Sequence, residues 1–479
     1  MFMITNDTNH DYYRQVELPA GQLHVYASEA LFGALDYKVF HMANNNLQIP
    51  GSVYMSYTPD VHVGVGTCIG TTAVWNAEGG YVSPSIVGSD IGCGMRVHLT
   101  NLHGDELRDV RLRRKLVKAI EAYLPIEEHR RGHFSDIRLE HIIRKGLHGL
   151  PKKYVPDSYT PRKATALTHV ESAKFGFDEA YLDRFADPVW HRSHRQLGTL
   201  GGGNHFAEIQ QIRIDDGNCA VAEAWGLFDG QVIVMIHSGS RSWGGAVNQL
   251  CSTEIAATMR AYGLGTADPK LFFAPLDTEA GQTYMHLLYS ALNYAVVNRH
   301  LIAYGIREAF RDMFGPKTEL STLYDLMHNY AWEEEHDGVA RFVHRKGATR
   351  ALPAGHPDNP QPYMETGHPA LIPGSMGTSS YLMVGAAGGL ANYYSICHGA
   401  GRARSRSATK RLVTVDEFRS ALRVGTESEI VVNQRTLESI VDESPQAYKD
   451  VDQIIESVVG AGLASVVAKC TPLATIKGA

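Results

Sequence analysis

Apolar residues along this chain change their spacing twice, and the changes mark three zones. Over residues 1–100, Val, Ile, Tyr and Gly recur in short runs between turn residues, which predicts short strands joined by tight turns. Residues 102–195 (DELRDVRLRRKLVKAIEAYL, then EEHRRGHFSDIRLEHIIRKGL) are densely charged and predict peripheral helices. From 196 onward, short apolar strands alternate with helices. VIVMI (232–236) runs directly into His237, placing that residue at the carboxyl end of a strand, where mixed sheets commonly build sites. Segment 284–314 has apolar residues at helical spacing, with Gly305 as a point of interruption. Asn293, Asn298 and Arg299 on it are expected to make structural hydrogen bonds rather than meet a ligand. Asp450 is expected to cap a last helix near 451–468, with Val451, Ile454, Ile455, Val458 and Val459 as its packed stripe. The stretch 350–372 reads as a proline-rich loop. No repeat and no clean linker interrupts this order. One catalytic domain spanning 1–479 is therefore expected, of mixed α/β (α+β) class, with 102–195 a helical elaboration within it.

Composition narrows the function classes. With 44% hydrophobic and 20% charged residues, the chain can bury a substantial core. No apolar run approaches the roughly 18–20 residues of a membrane span, and the amino-terminal stretch is polar and acidic, without a signal pattern. The cysteines show neither CxxC pairing nor a disulfide rhythm, so a reducing cytoplasm is the expected location. A net charge of −6 does not announce a nucleic-acid binder. Two basic clusters qualify this: Arg345, Lys346 and Arg350, then Arg402, Arg404, Arg406, Lys410 and Arg411. Both adjoin glycine-rich, histidine-bearing loops, which leaves a polyanion groove as open a reading as a solvated face.

The rarest chemistry is gathered in six blocks: PDVHVG (59–64), SDIGCGMR (89–96), GTLGGGNHFAE (198–208), HSGSR (237–241), HN (328–329) and HGAGR (398–402). Glycine at this density lets the backbone turn tightly and approach a ligand. Asp90 and Cys93, three apart, can both face a cation, and a thiolate can bridge two. One such cysteine or one such histidine is more often a core residue. With His205, His237 and His328, the set suits Zn, Mn, Fe or Co better than Mg or Ca. His398 differs, because its small neighbours leave the ring accessible to attack phosphorus and form a phosphoramidate. PGSMGTSS (373–380) adds Ser375, Ser380 and backbone N–H groups suited to phosphate, and HRKGATR (344–350) adds cations. Phosphoryl or nucleotidyl transfer at a polynuclear metal site follows.

In this order, those blocks together with VHRKGATRA, IPGSMGTSSY, AYKDVD and the terminal IKG resemble the RtcB family of RNA-splicing ligases over residues 59–478. The resemblance implies an RtcB-like fold, with mixed sheets around a deep metal-containing cleft. It also implies joining of RNA ends bearing a 2′,3′-cyclic phosphate or 3′-phosphate to 5′-hydroxyl ends, using GTP and two Mn²⁺ ions. Metal ligands fall on Asp90, Cys93, His205, His237 and His328, with Cys93 as the bridge, and the guanylylated histidine on His398. Guanosine-binding positions fall on Asn204, His205, Phe206, Ala207, Glu208, His328, Asn329, Pro373, Gly374, Ser375, Met376, Ser380, His398, Gly399, Ala400, Gly401, Tyr448 and Lys477. Glu208 would accept from guanine N1–H and its 2-amino group, Lys477 would donate to O6, and Phe206 and Tyr448 would sandwich the base. The resemblance also allows for an activating partner of the archease type, and no membrane.

This chain departs from the family pattern at TCIG after HVGVG, at Arg404, and near 125–135, where a glycine-rich loop is missing. None of these is a metal or nucleophile position. A binuclear metallohydrolase would need the ligands but not His398, Glu208 or Lys477, and a non-catalytic RNA-binding relative should have lost some of them.

Overall fold

The computed structural model describes residues 3–6, 11–130, 133–155, 179–423, 429–433 and 437–478. Parts of the expected 102–195 elaboration, 131–132 and 156–178, lie outside the described residues. The class is mixed α/β, with two large sheets. The first sheet joins, in spatial order, Met3–Asn6, Tyr13–Leu18, Gly21–Tyr26, Tyr54–His62, Ile69–Asn76, Val339–Lys346 and Asn329–His336. The second runs Ser321–Met327, Gly94–His103, Gln231–Ser238, Phe206–Ile214, Ala464–Lys477, Ser380–Gly385 and Pro369–Ile372. His328 is the residue between strands Ser321–Met327 and Asn329–His336, so it stands where the chain passes from one sheet to the other.

The register of the second sheet builds one row across five strands. Met327 faces Gly94, Gly94 faces Ser238, Phe206 faces both His237 and Lys477. Loops carrying the rare residues therefore emerge side by side from a single sheet edge.

Behind that edge lies helix Glu279–Phe314, buried along most of its length. It does not break at Gly305. The glycine instead lets the end of helix Val110–Tyr123 come close, since a Cβ there would stand 3.2 Å from the Tyr123 carbonyl oxygen. Leu116, Val117 and Ile120 of that charged helix share a core with Ile302, Ile306 and Phe310. Asn293, Asn298 and Arg299 are buried and structural, as expected. Asn298 Nδ2 donates to the carbonyls of Thr199 and Gly239, and Arg299 Nη1 to those of Gly92 and Ser238.

Three local expectations need correction. The first hundred residues contain helices Glu29–Gly33 and Tyr37–Asn46 as well as strands. Ser28 and Asp36 cap them, a short-range signal that the apolar pattern hides. Asp450 does cap the last helix, but the helix covers Val451–Gly460 only, and Val459 is 43% exposed. After Gly462, at φ +69°, the chain continues as strand Ala464–Lys477, paired on both sides. The cluster Arg345, Lys346, Arg350 is no polyanion surface. Arg345 is fully buried in an ion pair with Glu334, and Lys346 Nζ donates to the carbonyls of Val65, Thr67 and Ser85. Arg350 pairs with Asp358.

Candidate functional site

Asp90 and Cys93 occupy a tight turn in which the Cys93 amide donates to the Asp90 carbonyl, just before strand Gly94–His103. The next backbone bond, from His328 N–H to the Cys93 carbonyl, draws His328 to the same point. Gly239 makes room for the carboxylate, since a Cβ there would lie 2.1 Å from Asp90 Oδ1. Cys93 Sγ stands 3.4 Å from His205 Nε2 and 3.2 Å from His237 Nε2, and His237 Nε2 stands 3.3 Å from His328 Nε2. Asp90 Oδ2 lies 2.8 Å from His205 Nε2. Two donor groups result, Asp90–Cys93–His205 and Cys93–His237–His328, each with ligand atoms within 4.8 Å of one another, and Cys93 belongs to both.

All five expected ligands thus meet, in an arrangement fitted to two cations that share one sulfur. The outer ring nitrogens of His205 and His237 contact the carbonyl oxygens of Leu200 (3.1 Å) and Asn204 (3.1 Å). A carbonyl only accepts, so Nδ1 carries a proton in both rings and Nε2 faces inward, where it can serve a cation. Burial keeps His237 and His328 well below the usual imidazole range, hence neutral. Burial also opposes ionisation of Asp90, but the His205 imidazole beside it brings the carboxyl down to about 2. Burial, reinforced by Asp90, pushes the Cys93 thiol well up. A thiolate there needs a cation to form it. The mixed O, S and N donor set fits a transition metal better than Mg or Ca.

His398 follows strand Ser395–Cys397, and its ring centroid lies 5.0 Å from that of His328. Asp60 holds it twice, accepting from the His398 backbone N–H at 3.1 Å and lying 2.6 Å from Nδ1 through the same oxygen, Oδ2. Thr58 Oγ1 donates to the other oxygen at 2.5 Å. Gly401 permits the approach, at φ +65° with a would-be Cβ 2.2 Å from the Asp60 carbonyl oxygen. Burial opposes ionisation of Asp60, but His398 lowers its pKa below the ordinary value. With Nδ1 donating to a carboxylate, Nε2 is left as the nucleophilic nitrogen. The sequence by itself assigns no role to Asp60. The PDVHVG block was the available signal, but nothing in the spacing from 60 to 398 shows that they touch.

One cleft of ≈ 760 Å³ is lined by Asp90, Cys93, His237, His328 and His398 together with Asn204, Phe206, Glu208, Asn329, Pro373, Gly374, Ser375, Met376, Gly399, Ala400, Gly401, Tyr448 and Lys477, while His205 and Asp60 contact that lining through Asp90 and His398. Besides His205, two expected guanosine-binding positions stand outside the lining. Ala207 faces the opposite side of its strand, packed in the core with Ile209 and Ile236. Ser380 lies behind the 373–376 loop, its Oγ accepting from the Gly374 amide at 3.1 Å and from Gln210 Nε2 at 2.8 Å. Glu208 accepts from Gln210 and Thr475, and burial raises its pKa to about 7. Lys477 is 3% exposed, its Nζ 2.9 Å from Glu443 Oε2. Tyr448 donates to the same carboxylate oxygen. Arg402, Arg404 and Arg406 line the cleft too, Arg402 and Arg406 being paired with Glu443. The second basic cluster is therefore partly neutralised but faces the site.

The profile of one protein family, tRNA-splicing ligase RtcB, matches residues 42–478. The chain belongs to the RtcB family. It is 38% identical over 466 residues to the tRNA-splicing ligase RtcB of Thermococcus kodakarensis, covering 95% of this chain and 94% of that one. The tRNA-splicing ligase RtcB of Aeropyrum pernix is 36% identical, covering 89% of this chain and 88% of its own. The RNA-splicing ligase RtcB of Mycobacterium tuberculosis is 35% identical, covering 91% and 99%. RtcB membership thus extends across the metal-ligand candidates, His398 and Lys477 alike.

Proposed function

We propose that this chain is an RNA ligase that joins RNA 2′,3′-cyclic phosphate or 3′-phosphate ends to 5′-hydroxyl ends, using GTP and manganese. The observation that carries this reading is the Asp60–His398 pair opening beside a donor set shared through Cys93. Asp90, Cys93 and His205 would hold one Mn²⁺, and Cys93, His237 and His328 the other. When bound, the ions supply neutralisation of phosphate charge. His398 Nε2 attacks the α-phosphorus of GTP, and pyrophosphate leaves. A 2′,3′-cyclic phosphate end is first opened by water, the P–O2′ bond breaking to leave a 2′-hydroxyl, and the RNA 3′-phosphate then takes the guanylyl group from the histidine. Finally the 5′-hydroxyl oxygen attacks the activated 3′-end, GMP leaves, and a 3′,5′-phosphodiester forms. Glu208, Lys477, Phe206 and Tyr448 bind guanine, and the 373–376 loop and Arg402 face phosphates. The whole chain works as one catalytic unit in this scheme, in the cytoplasm, with an archease-type activator compatible with it.

The test is incubation with α-labelled GTP and Mn²⁺, followed by acid treatment. Wild type acquires acid-labile label and joins 3′-phosphate to 5′-hydroxyl RNA. His398→Ala does neither while its metal content stays at the wild-type level. Label retained on His398→Ala would move the nucleophile elsewhere.

A further inference from the structure

Strand Tyr54–His62, which carries Asp60, presents a second imidazole to the cleft at its last residue. Lys449 Nζ donates to the carbonyl oxygens of Pro59 at 3.1 Å and Val61 at 2.6 Å, which fixes the backbone between them. The Asp60 carbonyl oxygen then lies 3.0 Å from His62 Nδ1. Because a carbonyl only accepts, Nδ1 carries the proton, and neutral His62 keeps its lone pair on Nε2. Asp60 therefore holds two imidazoles at once, His398 through its carboxylate and His62 through its main chain. The ring centroids lie 6.3 Å apart with planes inclined by 21°, and both side chains line the cleft. Burial, aided by His398 and Lys449, pushes His62 down to about 4, so the ring is neutral near pH 7. Among the described residues, Nε2 of His62 has no protein hydrogen-bond partner.

The proposed reaction has one proton without a destination. His398 attacks with a lone pair, and the RNA 3′-phosphate attacks as an anion, so neither step requires a base. In the third step the attacking group is a hydroxyl, whose proton must leave as the new bond forms. The lone pairs of Cys93, His205, His237 and His328 converge on the cation positions. Glu208 already accepts from Gln210 and Thr475, and Asp60 is occupied by His398 and Thr58. Among the described residues, His62 is the cleft imidazole to which the scheme gives no other task, His398 being the carrier of the guanylyl group in the first two steps.

We propose that His62 is the general base of the joining step, its Nε2 taking the proton of the RNA 5′-hydroxyl. The proposal rests on the ligase reading above. The 5′-oxygen bonds to the activated 3′-phosphorus, and the bond from that phosphorus to the bridging oxygen of the guanylyl group breaks. GMP leaves with the electron pair. The proton passes to Nε2 and from there to solvent.

Three separate assays on wild type, His62→Ala and His62→Gln test it: guanylylation of the protein, transfer to RNA 3′-phosphate, and single-turnover joining of RNA already guanylylated at its 3′-end. The first two should stay within about threefold of wild type, and joining should fall by about 10²–10⁴-fold, the usual contribution of a general base. RNA with an activated 3′-end should accumulate, and added imidazole should restore joining by His62→Ala. His62→Gln keeps a polar side chain of similar reach without a base, so it separates loss of the base from loss of the fold. Equal losses in all three assays would mean that His62 only supports Asp60, and would overturn the proposal. Wild-type joining rates in both variants would overturn it as well. A wild type that fails to become guanylylated would instead remove the ligase reading itself.

Discussion

At the residue scale, Cys93 carries the heaviest chemical demand. It lies in both donor groups, in the turn just before strand Gly94–His103, with Arg299 fastening the carbonyl of the residue before it. Cys68 and Cys470 are equally buried, but Cys68 packs against Met42, and Cys470 sits in strand Ala464–Lys477. Cys93→Ser should therefore lose bound metal and guanylylation, because a neutral hydroxyl is a poor bridge between two divalent cations. Cys68→Ser and Cys470→Ser should keep their metal. Metal stoichiometry by mass spectrometry decides this, and a Cys93→Ser protein with the wild-type metal count would end the bridging assignment.

At the element scale, strand Ala464–Lys477 matters most for the proposed choice of nucleotide. Its pairing with Phe206–Ile214 sets Lys477 opposite Phe206, and Asn433 clamps the Lys477 backbone through two hydrogen bonds of 3.0 Å. A position so close to the end of the given sequence would ordinarily fray, yet here it is buried. Guanine offers an acceptor to Lys477 and donors to Glu208, and adenine mismatches both. A buried polar group left unpaired costs about 1–3 kcal/mol. Wild type should accordingly favour GTP strongly over ATP. Lys477→Ala and deletion of 477–479 should both weaken GTP use and narrow the preference. Guanylylation and adenylylation rates measured side by side check this, and an unchanged ratio would leave Lys477 out of base recognition.

At the scale of the whole molecule, Asp325 joins the long helix to the site. It is fully buried and pairs with both Arg96 and Arg299, and Arg299 in turn holds the carbonyls of Gly92 and Ser238 beside the candidate metal ligands. Removing one partner from a buried ion pair costs about 3–5 kcal/mol, because the remaining charge stays in a low-dielectric interior. Asp325→Ala should lose about that much stability in urea unfolding, and it should bind metal more weakly under conditions where it remains folded. An unfolding midpoint and metal affinity equal to wild type would show that the network is dispensable.

Much of the site was legible in the chain itself, because its chemistry is local and rare. Asp90 and Cys93 three apart, the glycine-flanked His398 and the strand running into His237 mark candidates without knowledge of the fold, and the structure brings these candidates together. The sequence also determined class, through the alternation of strand and helix periods, and family, through the order of the blocks. Other features depended on contacts between residues far apart in the chain. That Asp60 orients His398, and that His62 shares its anchor, depends on residues about 340 apart meeting at 2.6–3.1 Å. The fate of Arg345 and Lys346 was equally hidden. A basic run looks the same whether it faces a phosphate or is consumed by Glu334 and a ring of carbonyls. The apolar pattern predicts helix through 468, but the chain is strand from Ala464 on: β-branched apolar residues serve either state, and pairing with Phe206–Ile214 and Ser380–Gly385 makes the choice. Local composition determines which side chains can do chemistry, and long-range packing determines which of them meet.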